Sequence, residues 1–90
     1  MDIVKQNGRR HTEQFDSKKL FQSIVGACLS ARAPIGQAES IARSVVRNVE
    51  GWIETHPEVT SQDIRRVAAR YLKTHHPDAA YMYEHNKIVI

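Results

Sequence analysis

Cysteine is nearly absent from this chain: Cys28 is the only one in 90 residues. That excludes an internal disulfide and any zinc ribbon built on several cysteines. No apolar run in the sequence approaches the roughly 20 residues that a helix needs to cross a bilayer, so no membrane segment is expected. The four glycines, Gly8, Gly26, Gly36 and Gly51, are scattered. The Gly-rich phosphate loop of the common NTPases and the Gly-rich dinucleotide fingerprint are therefore both missing. A nucleophile elbow and a zinc-spaced histidine pair with its glutamate are missing too. His75 and His76 are adjacent, and neighbours on a helix point in different directions, so they predict no metal site. The absences together predict a protein that is not an enzyme, with no catalytic residues and no metal ligands. Met1-Asp2-Ile3-Val4-Lys5 has neither the basic start nor the apolar core of a signal peptide, which makes the cytoplasm the expected location.

What is present is an ordinary globular composition, 41% hydrophobic and 26% charged, in a length that suits one domain over residues 1–90. Thirteen Lys and Arg against ten Asp and Glu leave a formal charge of +3. A modest positive excess favours acidic partners and leaves nucleotide, nucleic acid and acidic protein all open.

Hydrophobic spacing predicts four helices. Leu20, Ile24, Ala27, Cys28 and Ala31 recur at three and four residue intervals from about Ser17, with Phe15 as a staple residue and Asp16 or Ser17 as the cap. Cys28 falls on this apolar face and is read as core. Arg32-Ala33-Pro34-Ile35-Gly36 breaks the pattern and reads as a connection. The stripe Ala38, Ile41, Ala42, Val45, Val46, Val49, Trp52 and Ile53 predicts a second helix over about Gln37 to Thr55. Thr60-Ser61-Gln62-Asp63 offers cap chemistry for a third helix ending near Thr74, with Ile64, Val67, Ala68, Tyr71 and Leu72 inward. Pro77 suits the first turn of a fourth helix, in which Ala79, Ala80, Met82 and Tyr83 pack. Trp52 and Tyr71 are expected in the core rather than as base-stacking residues. Ahead of the helices, Ile3-Val4-Lys5 and Arg10 to Phe15 read as two strands around the Asn7-Gly8 turn. The expected fold class is mainly α, an N-terminal β-hairpin (residues 1–15) capping a four-helix bundle (16–90).

The junction between hairpin and first helix carries the functional signal. Asp16-Ser17-Lys18-Lys19 places two ammonium groups at the positive end of a helix dipole, where cations are disfavoured. A bound anion resolves that conflict, and a helix start offers backbone N–H groups to a phosphate.

In these residues the chain resembles a family, the ATP-cone, a regulatory nucleotide-binding module of ribonucleotide reductases and of the repressor that controls their genes. The resemblance rests on Ile3-Val4-Lys5-Gln6-Asn7-Gly8, then Glu13-Gln14-Phe15-Asp16-Ser17-Lys18-Lys19-Leu20, Ser23-Ile24 and Ala27. Thr60-Ser61-Gln62-Asp63-Ile64 and Ala79-Ala80-Tyr81-Met82-Tyr83 resemble the starts of the module's third and fourth helices. The resemblance implies competing ATP and dATP, bound with Mg2+ held mainly by phosphate oxygens, under the hairpin as a lid. By the same token it implies Ile3 at the base or sugar, Lys5, Lys19 and Lys87 at the phosphates, and Glu13 at the adenine edge. It also implies Asp16 near base or ribose, Leu20 against the base and Ser61, with Thr60 as its rival, near the base.

This chain departs from the family pattern at Gln6, where a second basic residue is usual, and in a longer segment from Gly8 to Glu13; Arg9 or Arg10 then supplies the missing charge. The expected function is a free-standing regulatory module that binds ATP or dATP and controls a partner protein or its own oligomeric state. Two alternatives stand beside it. One is a basic helical domain contacting nucleic acid through Arg65, Arg66 and Arg70. The other is a degenerate cone that keeps only protein contacts.

Overall fold

A computed structural model describes residues 2–4, 12–56 and 58–85, with backbone alone for 2–4 and 12–14. The described chain is mainly helical, with four helices. α1 spans Ser17–Ser30, α2 Ile35–Glu54, α3 Ser61–His75 and α4 Pro77–His85. Two three-residue segments, β1 (Asp2–Val4) and β2 (Thr12–Gln14), pair antiparallel in the register Asp2↔Gln14, Ile3↔Glu13 and Val4↔Thr12. The Asn7-Gly8 turn expected between them lies outside the described residues.

Each helix buries the stripe that its spacing predicts. Ile24, Ile53, Leu72, Val45, Val49 and Cys28 are the largest side chains fully enclosed. Full burial of a branched aliphatic side chain contributes about 1.5–3 kcal/mol, so this stripe is what holds helices of such modest length together. α1 packs on α2 and α4, and α3 packs on α2 and α4. The four helices therefore form a closed ring in chain order, with α1 and α3 across a diagonal. Trp52 and Tyr71 are partly buried against the core, and Tyr83 closes it at α4.

Three details differ from the expectation. α2 begins at Ile35, so the connection is shorter than Arg32 to Gly36. Pro34 holds extended backbone at φ −62° and ψ 152°, and its carbonyl accepts from Ala38 N–H at 2.9 Å; proline and glycine read as breakers, yet both suit a helix's first turn. Ala69 and Val59 join the core, at 4% and 2% exposure. Val59 precedes the cap of α3 and Ile64 lies in its second turn, the positions of a hydrophobic staple.

Between α1 and α2 the chain turns through Arg32, whose φ of 69° is the only positive value at a non-glycine among the described residues. The N–H of Ala33 donates to Cys28 O at 2.9 Å and that of Arg32 to Leu29 O at 2.9 Å. This is a Schellman-type ending with arginine in the left-handed place that glycine usually holds.

Candidate functional site at one end of the bundle

Short connections make consecutive helices antiparallel. α1 and α3 therefore start at the same end of the bundle, and α4 finishes there. The α3/α4 pairing shows this directly. A groove is lined by Gln62, Arg65, Arg66 and Ala69 from the first half of α3 and by Tyr83, Glu84 and His85 from the end of α4.

At the start of α1, Asp16 is the N-cap, in extended backbone. Its Oδ1 accepts from Lys18 N–H at 3.0 Å and from Lys19 N–H at 3.2 Å. The expectation that these backbone donors wait for a phosphate is thereby corrected. The chain supplies its own anion to them, because a carboxylate one residue ahead of a helix reaches its first turn without strain. The side chains of Lys18 and Lys19 are exposed, and neither forms an ion pair among the described residues. Leu20 is 3% exposed and lies in the core with Ile24 and Ala27. Phe15 packs partly buried against the same cluster.

At the start of α3, Thr60 is the N-cap. Its hydroxyl accepts from Asp63 N–H at 3.1 Å, and Asp63 Oδ2 accepts from Thr60 N–H at 3.1 Å. Ser61 is the first residue of the helix and is exposed. Thr60's hydroxyl is thus engaged in the cap, whereas the hydroxyl of Ser61 has no partner among the described residues.

The topology brings Asp16, Lys19, Leu20 and Ser61 to one end. Ile3 and Glu13 face each other in the strand register. Lys5, Gln6, Arg9, Arg10 and Lys87 lie outside the described residues. The same end holds the close of α2, where the rings of Trp52 and His56 stack at 4.0 Å and Trp52 O is hydrogen-bonded by the Thr55 hydroxyl at 2.9 Å.

Sequence reasoning did not place Tyr83 at a site. It is 8% exposed, and its buried hydroxyl has no hydrogen-bond partner among the described residues. Burial pushes its phenol above the ordinary 10.0, with the charge of Arg65 acting in the opposite direction. A tyrosine on an apolar stripe reads as core, and only the fold reveals that its oxygen is unpaired. Cys28 is enclosed as expected, and burial raises its thiol above 9.0, which keeps it an unreactive core residue at neutral pH. Among the described residues no helix is long and apolar enough to cross a membrane. No group of three or more metal-binding side chains gathers there either.

The fold and this end define a class: a small helical domain with exposed lysines in the first turn of α1. The family model of the ATP cone domain matches residues 1–84, and the chain belongs to that family. The ATP cone is a regulatory, nucleotide-binding module rather than a catalytic one. Comparison with curated proteins and with solved structures gives no significant match.

Proposed function

We propose that this domain binds ATP and dATP in competition at the end of the bundle where α1 and α3 begin and α4 finishes. Occupancy then changes its contact with a partner protein or with a second copy of itself. One observation carries the reading: α1 opens on two exposed lysines with no ion pair among the described residues, although Asp16 already caps its backbone. Those ammonium groups do nothing for the helix, whose dipole they oppose. They are the charge that a triphosphate requires.

In this reading the hairpin is the lid, with Lys5 and Lys19 as the phosphate pair and Lys87 joining them from beyond α4. Arg9 or Arg10 replaces the charge that Gln6 lacks. Ile3, Leu20 and Ser61 adjoin the base, Glu13 its polar edge, and Asp16 turns its second carboxylate oxygen toward base or ribose. Mg2+ rides on the phosphate oxygens, the described residues offering it no cage of their own.

Calorimetry with ATP, dATP, GTP and a short DNA duplex at two salt concentrations tests the proposal. Adenine nucleotides bind and compete, and Lys5→Ala with Lys19→Ala lowers their affinity by about two orders of magnitude, each lost charge-assisted contact accounting for roughly tenfold or more. At a nucleotide concentration near 100 times Kd the fold gains about 2.7 kcal/mol, read as a higher Tm. DNA binding with a steep salt slope and no nucleotide binding selects the nucleic-acid reading instead. No binding of either leaves the degenerate cone.

A further inference from the structure

The outer face of α2 (Ile35–Glu54) carries charge in a pattern that the helix's own stability does not ask for. Arg43, Arg47, Glu50 and Glu54 follow one another at intervals of four, three and four residues, which sets them in one row, and each is exposed. The row is sorted by sign, arginines first and glutamates after. Like charges four residues apart repel along a helix, so Arg43 with Arg47 and Glu50 with Glu54 both weaken α2. Glu54 ends the helix, and no basic residue lies in its last turn, which sets the acids against the dipole. No ion pair forms within the row, since the one printed by the geometry of the described residues joins Arg66 to Asp63.

Gly51 lies beside this row, exposed in the interior of α2. Among residues other than proline, glycine is the least favourable there. Its φ lies outside the left-handed region, and a Cβ added to it would meet nothing within 4 Å. Neither the backbone nor packing within the described chain therefore calls for glycine.

An antiparallel copy of α2 explains both features. Turned end for end, the row presents glutamates to arginines: Arg43 meets Glu54 and Arg47 meets Glu50, with both pairs centred on one level, between Asn48 and Val49. A two-fold axis at that level forms each pair twice across an isologous contact. Gly51 falls next to the axis, where the two backbones come nearest and a missing side chain lets them approach. The outer face of α3 behaves differently. It sets Arg66, Arg70 and Lys73 in one row, all exposed, and two copies of that face repel.

We propose that α2 is a self-association surface, on which a second copy of this chain docks antiparallel through Arg43, Arg47, Glu50 and Glu54 with Gly51 at the crossing. Exposed charge pairs give register and specificity more than strength, so the contact is weak and salt-sensitive. Of the two contacts open to the proposed function, a partner protein or a second copy, α2 is built for the second. The surface rests on that reading only for any effect of nucleotide on it, because none of its residues is assigned to the ligand.

Sedimentation equilibrium of the full chain up to about 1 mM protein, without nucleotide and again with ATP added, tests the surface. The parent forms a dimer in at least one of the two conditions, and a weaker one as salt rises from about 0.05 M to about 0.5 M. R43E/R47E and E50R/E54R each set like charges opposite one another and raise the dimer dissociation constant about tenfold or more. Mixed in equal amounts, the two variants associate with each other as the parent does with itself, a result that misfolding of either cannot give. Gly51→Leu, whose side chain enters open space in the single chain, keeps the fold and weakens association to a similar extent. A parent that stays monomeric in both conditions overturns the proposal. So does a dimer that survives either charge reversal, which places the contact on another surface. Calorimetry with ATP on the same preparations is read separately: failure to bind ATP removes the nucleotide reading and leaves the nucleotide-free dimer standing.

Discussion

The helices that start at Ser17 and Ser61 begin at the same end of the bundle and treat charge in opposite ways. α3 obeys its dipole in its first and last turns. Asp63 sits in its first turn, Lys73 and His75 in its last, and Thr60 and Asp63 close a reciprocal capping box. α1 has no acidic residue in its first turn and no basic residue in its last. The place that Asp63 holds in α3 is held in α1 by Lys19, three residues after the cap. Helix stability explains every charge at the start of α3. It explains Asp16 at the start of α1 but neither lysine. Two starts made by one sequence, under one set of backbone physics, thus separate residues that serve the fold from residues that serve something outside it.

The sharpest way to break this comparison is to give α1 the grammar of α3. Lys19→Glu completes a capping box with Asp16 and favours the helix dipole, so the fold gains about 0.5–1 kcal/mol. In a domain of this size that is a rise of several degrees in Tm. Under the proposed function the same change places a carboxylate where a phosphate belongs, and ATP affinity falls by about two orders of magnitude or more. Thermal melts and calorimetry on one preparation report both numbers. A variant that is more stable and binds ATP as before would show that Lys19 is an ordinary surface lysine.

The reverse change strips α3 of its acid. Asp63→Ala removes the partner of the Thr60 N–H and the ion pair to Arg66, 3.5 Å away and largely exposed. Nearly all of the loss comes from the cap, since an exposed pair contributes little. Stability falls by about 1 kcal/mol, read as a lower urea midpoint at unchanged slope. Nucleotide affinity at a temperature well below the melt stays within about twofold. A binding loss as large as that of Lys19→Glu would mean that α3's start belongs to the ligand as much as α1's does.

The contrast at the two starts was already written in the order of the residues. Asp16-Ser17-Lys18-Lys19 and Thr60-Ser61-Gln62-Asp63 show their caps and charges without coordinates, and the four apolar stripes show which face of each helix turns inward. What required the fold was pairing at a distance. The sequence offers Asp16 or Ser17 as the cap of α1; the structure selects Asp16, whose Oδ1 accepts from the N–H groups of Lys18 and Lys19, which moves the proposed phosphate contact from backbone to side chains. Arg65 and Arg66 read as a basic cluster on one helix. That they share a groove with Tyr83, and that Tyr83's hydroxyl is unpaired there, depends on α4 folding back along α3. Local rules also misjudged the start of α2, where Pro34 and Gly36 look like a loop. A proline carbonyl is as good an acceptor as any other, and the missing N–H falls where no helical bond is needed.

The other end of α1 refines the comparison with a smaller effect. Arg32 holds a left-handed backbone at φ 69°, against the preference of a residue with a Cβ. It stands about as far from the proposed site as α1 allows, a 14-residue helix rising about 1.5 Å per residue. Arg32→Gly keeps the Ala33-to-Cys28 hydrogen bond and relieves the strained angle. Part of that gain is offset by glycine's greater freedom in the unfolded chain, leaving a net stabilisation of about 0.5 kcal/mol. Urea unfolding measures it, and the ATP titration stays unchanged. If Arg32→Gly instead alters nucleotide affinity, then departures from helix grammar at both ends of α1 are tied to binding, and the distinction drawn between α1's start and α3's becomes one between whole helices.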